Sequence, residues 1–361
     1  MSKPTPTDPY SYNHRFVKTT SGNRYHLIDQ LPSHFLGSIN QAPTLLLCHG
    51  FPDLWYGWRY QIAAFAARGY RVICPSQIGY GESDKPSGLG NYSYKSVAYD
   101  MNSLLNEVGC DGRVIVLGHD WGGMVAWRFA DYFPHRVIAI ASVCTPYMPP
   151  AQPSTPWLNL EELVQHKMPN FGYQLFFEQQ ETGGKLDMVA PQFFAGMFNQ
   201  KWKSEKKTPG IAIEKGVMQR IIEGWIEKKK NGEQLKQPVS EPEYDYYLST
   251  FAKNGLQHPL NWYRTRKINY LEEQEAQLPP FPAQIPALVL SAAGDDALPP
   301  SMADNKSVRK CFPGGNLKVK VIDEADHWVL QDPRYRDGVT KQLAEFIEEN
   351  FAKEEKSNPK L

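Results

Sequence analysis

Short runs of β-branched and aliphatic residues alternate with stretches of helical period along the first part of this chain, and few folds accommodate that alternation. Thr44–Cys48, Arg71–Cys74, Arg113–Leu117 and Val137–Val143 are almost continuously apolar and are bounded by Gly or Pro. A strand with one face in water alternates polar and apolar side chains. Continuous runs therefore predict strands buried on both faces, as in a parallel sheet. Between them, Trp58–Arg68, Val97–Val108 and Met124–Phe133 repeat apolar residues every three or four positions, the period of a helix with one buried stripe. Strand and helix in alternation predict an α/β architecture.

The rhythm breaks at two proline-dense stretches, Pro146–Pro156 and Pro279–Pro286. Proline fixes φ and cannot continue a helix or a central strand, so both read as hinges. Between them the chain is helix-like and rich in aromatic residues. Its lysine tracts, Lys201–Lys207 and Lys228–Lys230, read as solvated surface. Beyond the second hinge the core pattern resumes with strands at Ala287–Ser291 and Leu317–Ile322 and a helix from Arg336 to Phe351; the charged residues Lys353–Leu361 are expected to fray. The economical organisation is a discontinuous core, residues 1–147 and 279–361, enclosing a helical cap at 148–278.

Charge excludes whole classes of partner. Thirty-nine Lys and Arg balance 39 Asp and Glu, which leaves no basic field for nucleic acid or anionic lipid. No apolar run approaches the roughly 18 residues of a membrane span, and Met1–Tyr10 is polar, so a cytoplasmic protein is expected. Pro359-Lys360-Leu361 is a weak echo of the Ser-Lys-Leu peroxisomal ending. The five cysteines are odd in number and mostly sit in or beside apolar segments, where a reduced thiol packs as a small hydrophobe; no disulfide framework is expected.

The sharpest local signal is Gly118-His119-Asp120-Trp121-Gly122-Gly123, which follows one predicted buried strand and opens a predicted helix. A tight strand–turn–helix flanked by small residues holds its central side chain clear of the backbone, the requirement for a nucleophile elbow. Here that residue is Asp120, and no Gly-x-Ser-x-Gly occurs in the chain, so serine-esterase chemistry is excluded. The plainer reading makes Asp120 the N-cap of its helix. Chain order favours the first. Asp295 and Asp296 follow the strand at 287–291, and His327 follows the strand at 317–322, where an acid and a base partner of the nucleophile would fall. His49-Gly50-Phe51-Pro52 follows the first buried strand; its Phe51 N–H and that of Trp121 can form an oxyanion hole.

From about Leu45 to Asp332 the chain resembles the epoxide hydrolases of the α/β-hydrolase fold, the soluble type. The likeness rests on His49-Gly50-Phe51-Pro52, Gly79-Tyr80-Gly81-Glu82-Ser83, the Asp120 elbow and His327-Trp328. Phe171-Gly172-Tyr173-Gln174-Leu175 and Pro259-Leu260-Asn261-Trp262-Tyr263-Arg264 resemble the family's two ring-opening tyrosine segments. The resemblance implies Tyr173 and Tyr263 as ring openers and favours Asp295 over Asp296 as the acid. The segment before Gly79, Ser76-Gln77-Ile78, departs from the acidic or basic residue relatives often carry there.

These residue types suit an epoxide. Substitution at a saturated carbon needs a nucleophile already charged at neutral pH, which a carboxylate is and serine is not. The basic alkoxide that departs needs a proton donor, and a phenol remains protonated at pH 7. Asp120 would form an alkyl ester, and His327 oriented by Asp295 would activate the water that cleaves it. Phe51, Trp121, Trp328 and the tyrosines are expected to line an apolar pocket for a hydrophobic epoxide, with no metal or organic cofactor. Two rivals share parts of this pattern. A haloalkane or haloacid dehalogenase uses the same nucleophile but needs halide donors, which the Phe51 side chain lacks; a non-catalytic binding protein on this fold would leave the Asp120, Asp295, His327 set without work.

Overall fold

In a computed structural model, residues 3–33, 42–198 and 213–357 are described. Eight strands form one sheet: β1 (His14–Lys18), β2 (Arg24–Gln30), β3 (Thr44–Cys48), β4 (Arg71–Pro75), β5 (Val114–His119), β6 (Val137–Val143), β7 (Ala287–Ala292) and β8 (Leu317–Ile322). Their spatial order is β1-β2-β4-β3-β5-β6-β7-β8. From β4 to β8 every pairing is parallel, whereas β1 and β2 pair antiparallel with each other and β2 with β4. The continuous apolar runs behave as their composition requires: all residues of β3 to β7 are buried. Leaving water is worth about 1.5–3 kcal/mol for each large aliphatic side chain, which makes this sheet the main stabilising element.

β1 and β2 form an edge that the apolar pattern does not reveal. β2 carries the buried polar residues Asp29 and Gln30, and β1 is mostly exposed. Asp29 is tolerated inside because Arg71 of β4 holds it through two bonds of 2.8 Å, a bidentate pair across the antiparallel junction. At the other edge β8 exposes Lys318 and Lys320, charges that discourage pairing with another sheet.

The expected fraying of Lys353–Leu361 is corrected over its first residues, which continue the long C-terminal helix. That helix runs from Arg336 to Ser357, and Arg113 reaches the Glu354 carboxylate at 2.6 and 2.7 Å. Lys228–Lys230 lie exposed in the last turn of the helix Val217–Lys230, where cations complement the helix dipole. The other tract, Lys201–Lys207, and the terminal Pro359-Lys360-Leu361 lie outside the described residues. All five cysteines are free thiols. No helix of the described residues is long and apolar enough to cross a membrane.

Between β6 and β7 the chain leaves the sheet for a helical insertion that includes Leu160–His166, Thr182–Met188, Ala190–Met197, Val217–Lys230, Pro242–Asn254 and Arg266–Ala276. The order β4-β3-β5 means that successive crossovers leave β3 and β5 in opposite directions, opening a crevice at their carboxyl ends. The loops after β3, β5, β7 and β8 carry Phe51, Asp120, Asp295 and His327, so one edge of the sheet gathers all four. Closeness at that edge depends on Gly122, where an added Cβ would lie 2.1 Å from the Cys48 carbonyl oxygen. Gly122→Ala is expected to destabilise the protein by about 3 kcal/mol, because backbone on both sides must move. Urea unfolding checks this: a lowered midpoint at unchanged slope is the expected result, and an unchanged midpoint contradicts it.

Candidate active site

Asp120 sits at φ 54 and ψ −125 between β5 and the helix Trp121–Tyr132. A non-glycine residue there is strained and persists only where its surroundings fix it. Thr145 helps to do so, its Oγ1 donating to the Asp120 carbonyl oxygen at 2.7 Å. The side chain makes no capping bond to its helix. Instead Oδ1 accepts the Phe51 N–H at 2.7 Å, and the Trp121 N–H also bonds the carboxylate. This contact explains Gly50, whose added Cβ would lie 2.2 Å from Asp120 Oδ1. Burial raises the Asp120 carboxyl above the usual carboxylate range; the His327 charge and the two N–H donors act in the opposite direction.

His327 lies between two carboxylates. Its Nδ1 donates to Asp295 Oδ2 at 2.6 Å, and its Nε2 stands 3.6 Å from Asp120 Oδ2. The remaining Asp295 oxygen accepts the N–H groups of Ala297 at 3.1 Å and Leu298 at 3.0 Å, so it is fully partnered although buried. Asp296 is exposed. Burial of the imidazole works against its protonation, yet the charge and hydrogen bond of Asp295 outweigh it and hold His327 well above the ordinary histidine range. His119 packs against it in the opposite state. Burial lowers its pKa to about 3, and as a neutral ring it must carry its proton on Nε2, which bonds the His327 carbonyl at 2.8 Å.

His119, Cys144 and His327 bring ligand-type atoms within 4.8 Å of one another. The donor chemistry is unsuited to a metal: burial pushes the Cys144 thiol up to about 12, and His327 Nδ1 is committed to Asp295.

Tyr173 and Tyr263 come from the insertion and are both buried. Their rings stand 6.4 Å apart, and Tyr263 meets the edges of Trp121 at 5.0 Å and Phe51 at 5.3 Å. Each phenol oxygen accepts a bond from its surroundings, Tyr173 from Gln174 Nε2 at 3.3 Å and Tyr263 from the Trp121 indole. Each O–H is therefore left to donate to a third group. Burial raises both phenol pKa values, as does the negative charge of Asp120, so both stay protonated. Two further side chains position this pair. The Trp262 indole N–H reaches the Ile78 carbonyl at 3.0 Å, tying the Tyr263 turn to the core. Arg264 donates to the carbonyls of Glu178 at 3.1 Å and Gln179 at 2.7 Å, beyond the helix Gln174–Phe177 that follows Tyr173. Gln174 and Arg264 stood inside the resembling segments, but only the folded backbone shows what they hold.

A cavity of about 450 Å³ opens between the sheet edge and the insertion, with Asp120, Trp121, Tyr173 and Tyr263 in its wall. Phe51 and Trp328, expected to line it, do not. The Phe51 ring packs behind Tyr263 and against Phe177, and Trp328 packs on His327 and Phe198. Phe51 contributes through its backbone N–H, and Trp328 supports the imidazole from outside. Residues that the sequence did not single out, Tyr94, Arg128, Arg266 and Glu273, add polar groups to its wall. The motif histidine His49 is structural: Nδ1 donates to Gly50 O and Nε2 accepts the Gln77 N–H, each at 2.9 Å.

Comparison with known proteins agrees with this architecture. Residues 43–332 match the model of the alpha/beta hydrolase fold family. The chain is 33% identical to epoxide hydrolase srdG of Neurospora crassa across 96% of this chain and 98% of that protein. It is 31% identical to bifunctional epoxide hydrolase 2 of Mus musculus across 90% of this chain, which spans 54% of the mouse protein. The crystal structure of epoxide hydrolase VrEH1 from Vigna radiata superposes with a TM-score of 0.70 at 22% identity, over 95% of this chain and 99% of that one. Fold, matched length and identity together make this chain a member of the epoxide hydrolase family within the α/β-hydrolase fold.

Proposed function

We propose that this protein hydrolyses a hydrophobic epoxide to a vicinal diol through a covalent ester on Asp120. The observation that carries the reading is one carboxylate facing two buried tyrosines across a single cavity, with His327 beside it at 3.6 Å. Residues 148–278 act as the cap that brings the tyrosines over the nucleophile. Met124, Met148, Leu160, Leu163 and Leu298 give the cavity apolar walls, which favour a substrate with apolar substituents.

In the first step an Asp120 oxygen attacks one ring carbon and the carbon–oxygen bond on that carbon breaks. The departing alkoxide takes the proton of Tyr173 or Tyr263, leaving an alkyl ester and a tyrosinate. Two phenols on one ring oxygen polarise it before the bond breaks and share the charge afterwards. In the second step His327, once it has given its proton to the tyrosinate, removes a proton from water through Nε2, and the hydroxide adds to the Asp120 carboxyl carbon. The N–H groups of Phe51 and Trp121, already on that carboxylate, receive the oxyanion; one such donor is worth about 2.7–4 kcal/mol of barrier. Collapse releases the diol. One proton of the water goes to the departing alkoxide and the other returns to His327, and its oxygen stays on Asp120.

Two experiments test the scheme. His327→Gln removes the base but keeps the nucleophile, so incubation with an epoxide is expected to leave a protein heavier by the mass of the substrate. The same adduct is expected to be absent in His327→Gln combined with Asp120→Asn. No mass increase in the single variant, with an epoxide that the wild type consumes, contradicts a covalent intermediate. Tyr173→Phe together with Tyr263→Phe is expected to slow ring opening by roughly 100-fold or more, since a positioned acid typically contributes that much. Unchanged circular dichroism and melting temperature must accompany the loss; wild-type rates in the double variant remove the tyrosines from the mechanism.

A further inference from the structure

The cap helix Arg266–Ala276 supplies Arg266, Asn269, Tyr270 and Glu273 to the cavity wall. Residues 266, 270 and 274 stack one turn apart, and each donates to a carbonyl of the proline-rich strap that follows Tyr147. Arg266 reaches Leu158 at 3.2 and 3.1 Å, the Tyr270 hydroxyl reaches Thr155 at 2.8 Å and Gln274 reaches Gln152 at 3.2 Å. The strap contains Pro149, Pro150, Pro153 and Pro156, which have no N–H, so its carbonyls are the natural handles. Glu273 holds the strap by the other kind of bond: its Oε2 accepts the Ala151 N–H at 2.8 Å.

The second oxygen of Glu273 leaves the cap altogether. Oε1 accepts the Arg128 Nε at 2.7 Å, and Arg128 lies on the helix Trp121–Tyr132, which begins directly after Asp120. Arg128 also donates to the Met148 carbonyl at 2.9 Å and to Asp131 at 3.3 Å. Both partners are almost fully buried, Arg128 at 2% and Glu273 at 6% exposure. Through Thr265, the helix that carries Glu273 continues the turn Asn261–Arg264 that carries Tyr263. One carboxylate thus joins the helix behind the nucleophile, the helix behind a ring-opening tyrosine, and the strap between them.

We propose that Glu273 is a positioning residue for ring opening, setting the reach of the Tyr263 hydroxyl to an epoxide held on Asp120. The inference rests on the reading that Tyr263 protonates the ring oxygen. A displacement near 1 Å between reacting groups costs on the order of 100-fold in rate. Loss of Glu273 therefore acts on ester formation. Ester hydrolysis runs on His327, Asp295 and the N–H groups of Phe51 and Trp121, none of which accepts or donates a bond to Arg128 or Glu273.

Glu273→Gln keeps the shape and the Ala151 contact but loses the negative charge that pairs with Arg128. With styrene oxide, or another aryl epoxide that the wild type opens, it is expected to slow single-turnover ester formation roughly 10- to 100-fold. Hydrolysis of the formed ester is expected to change by less than about twofold, a split that general loss of structure would not produce. Arg128→Lys, which keeps the charge but loses the Nε contact, is expected to show the same split and serves if Glu273→Gln does not fold. Glu275→Gln, exposed on the same helix, is expected to leave both rates unchanged. Equal loss in both half-reactions, or a lowered melting temperature with normal ester formation, overturns the proposal. Diol formation by the wild type without any ester would overturn the underlying mechanism as well, and the wild-type control distinguishes the two failures.

Discussion

The structure depends on one carboxylate held where its backbone would not settle alone. Asp120 occupies a left-handed conformation at the turn between β5 and its helix, and the turn closes only because the residues around it are small. In return its side chain is released from helix capping and meets the Phe51 N–H at 2.7 Å. Strain of order 1–3 kcal/mol at such a position persists because the sheet on one side and the helix on the other over-determine it. The proposed nucleophile, its N–H donors, the imidazole and Asp295 then gather on the segments after β3, β5, β8 and β7 at one end of the sheet.

Much of this was legible in the sequence, for identifiable reasons. Strands buried on both faces leave continuous apolar runs, so β3 to β7 could be read directly. The elbow needs small residues at fixed offsets, and they stand at Gly118, Gly122 and Gly123. Asp295 and His327 followed from chain order and resemblance, and the structure puts them 2.6 Å apart. What failed to show has an equally physical cause. β2 hides a buried carboxylate whose tolerance depends on Arg71, a residue distant in sequence. Phe51 and Trp328 were assigned to the pocket from their apolarity, but their side chains face neighbouring rings rather than the cavity. Gln174, Arg264 and Glu273 act through backbone groups or across the two parts of the chain, and neither periodicity nor composition records such partners.

Polar side-chain contacts tie the helical insertion to the core, beside aromatic packing such as Phe251 on Tyr80 and Tyr263 on Trp121. Arg59 pairs with Glu243 at 3.1 Å, the Tyr247 hydroxyl donates to Asp53 at 2.6 Å, Trp262 donates to Ile78, and Arg128 pairs with Glu273. Apolar surfaces can slide over one another at modest cost, whereas a buried ion pair tolerates only one register because its rupture strands a charge. Such contacts suit a site whose proposed acid and proposed nucleophile come from different parts of the chain.

The central claim is that Asp120 bonds to the substrate and surrenders one of its own oxygens to the product. A single turnover in heavy-oxygen water, with enzyme in excess, tests this most directly. The account predicts an unlabelled diol and the heavy oxygen in the peptide that contains Asp120. Label in the new hydroxyl of that first diol, with Asp120 unlabelled, would mean direct attack by water and would contradict it.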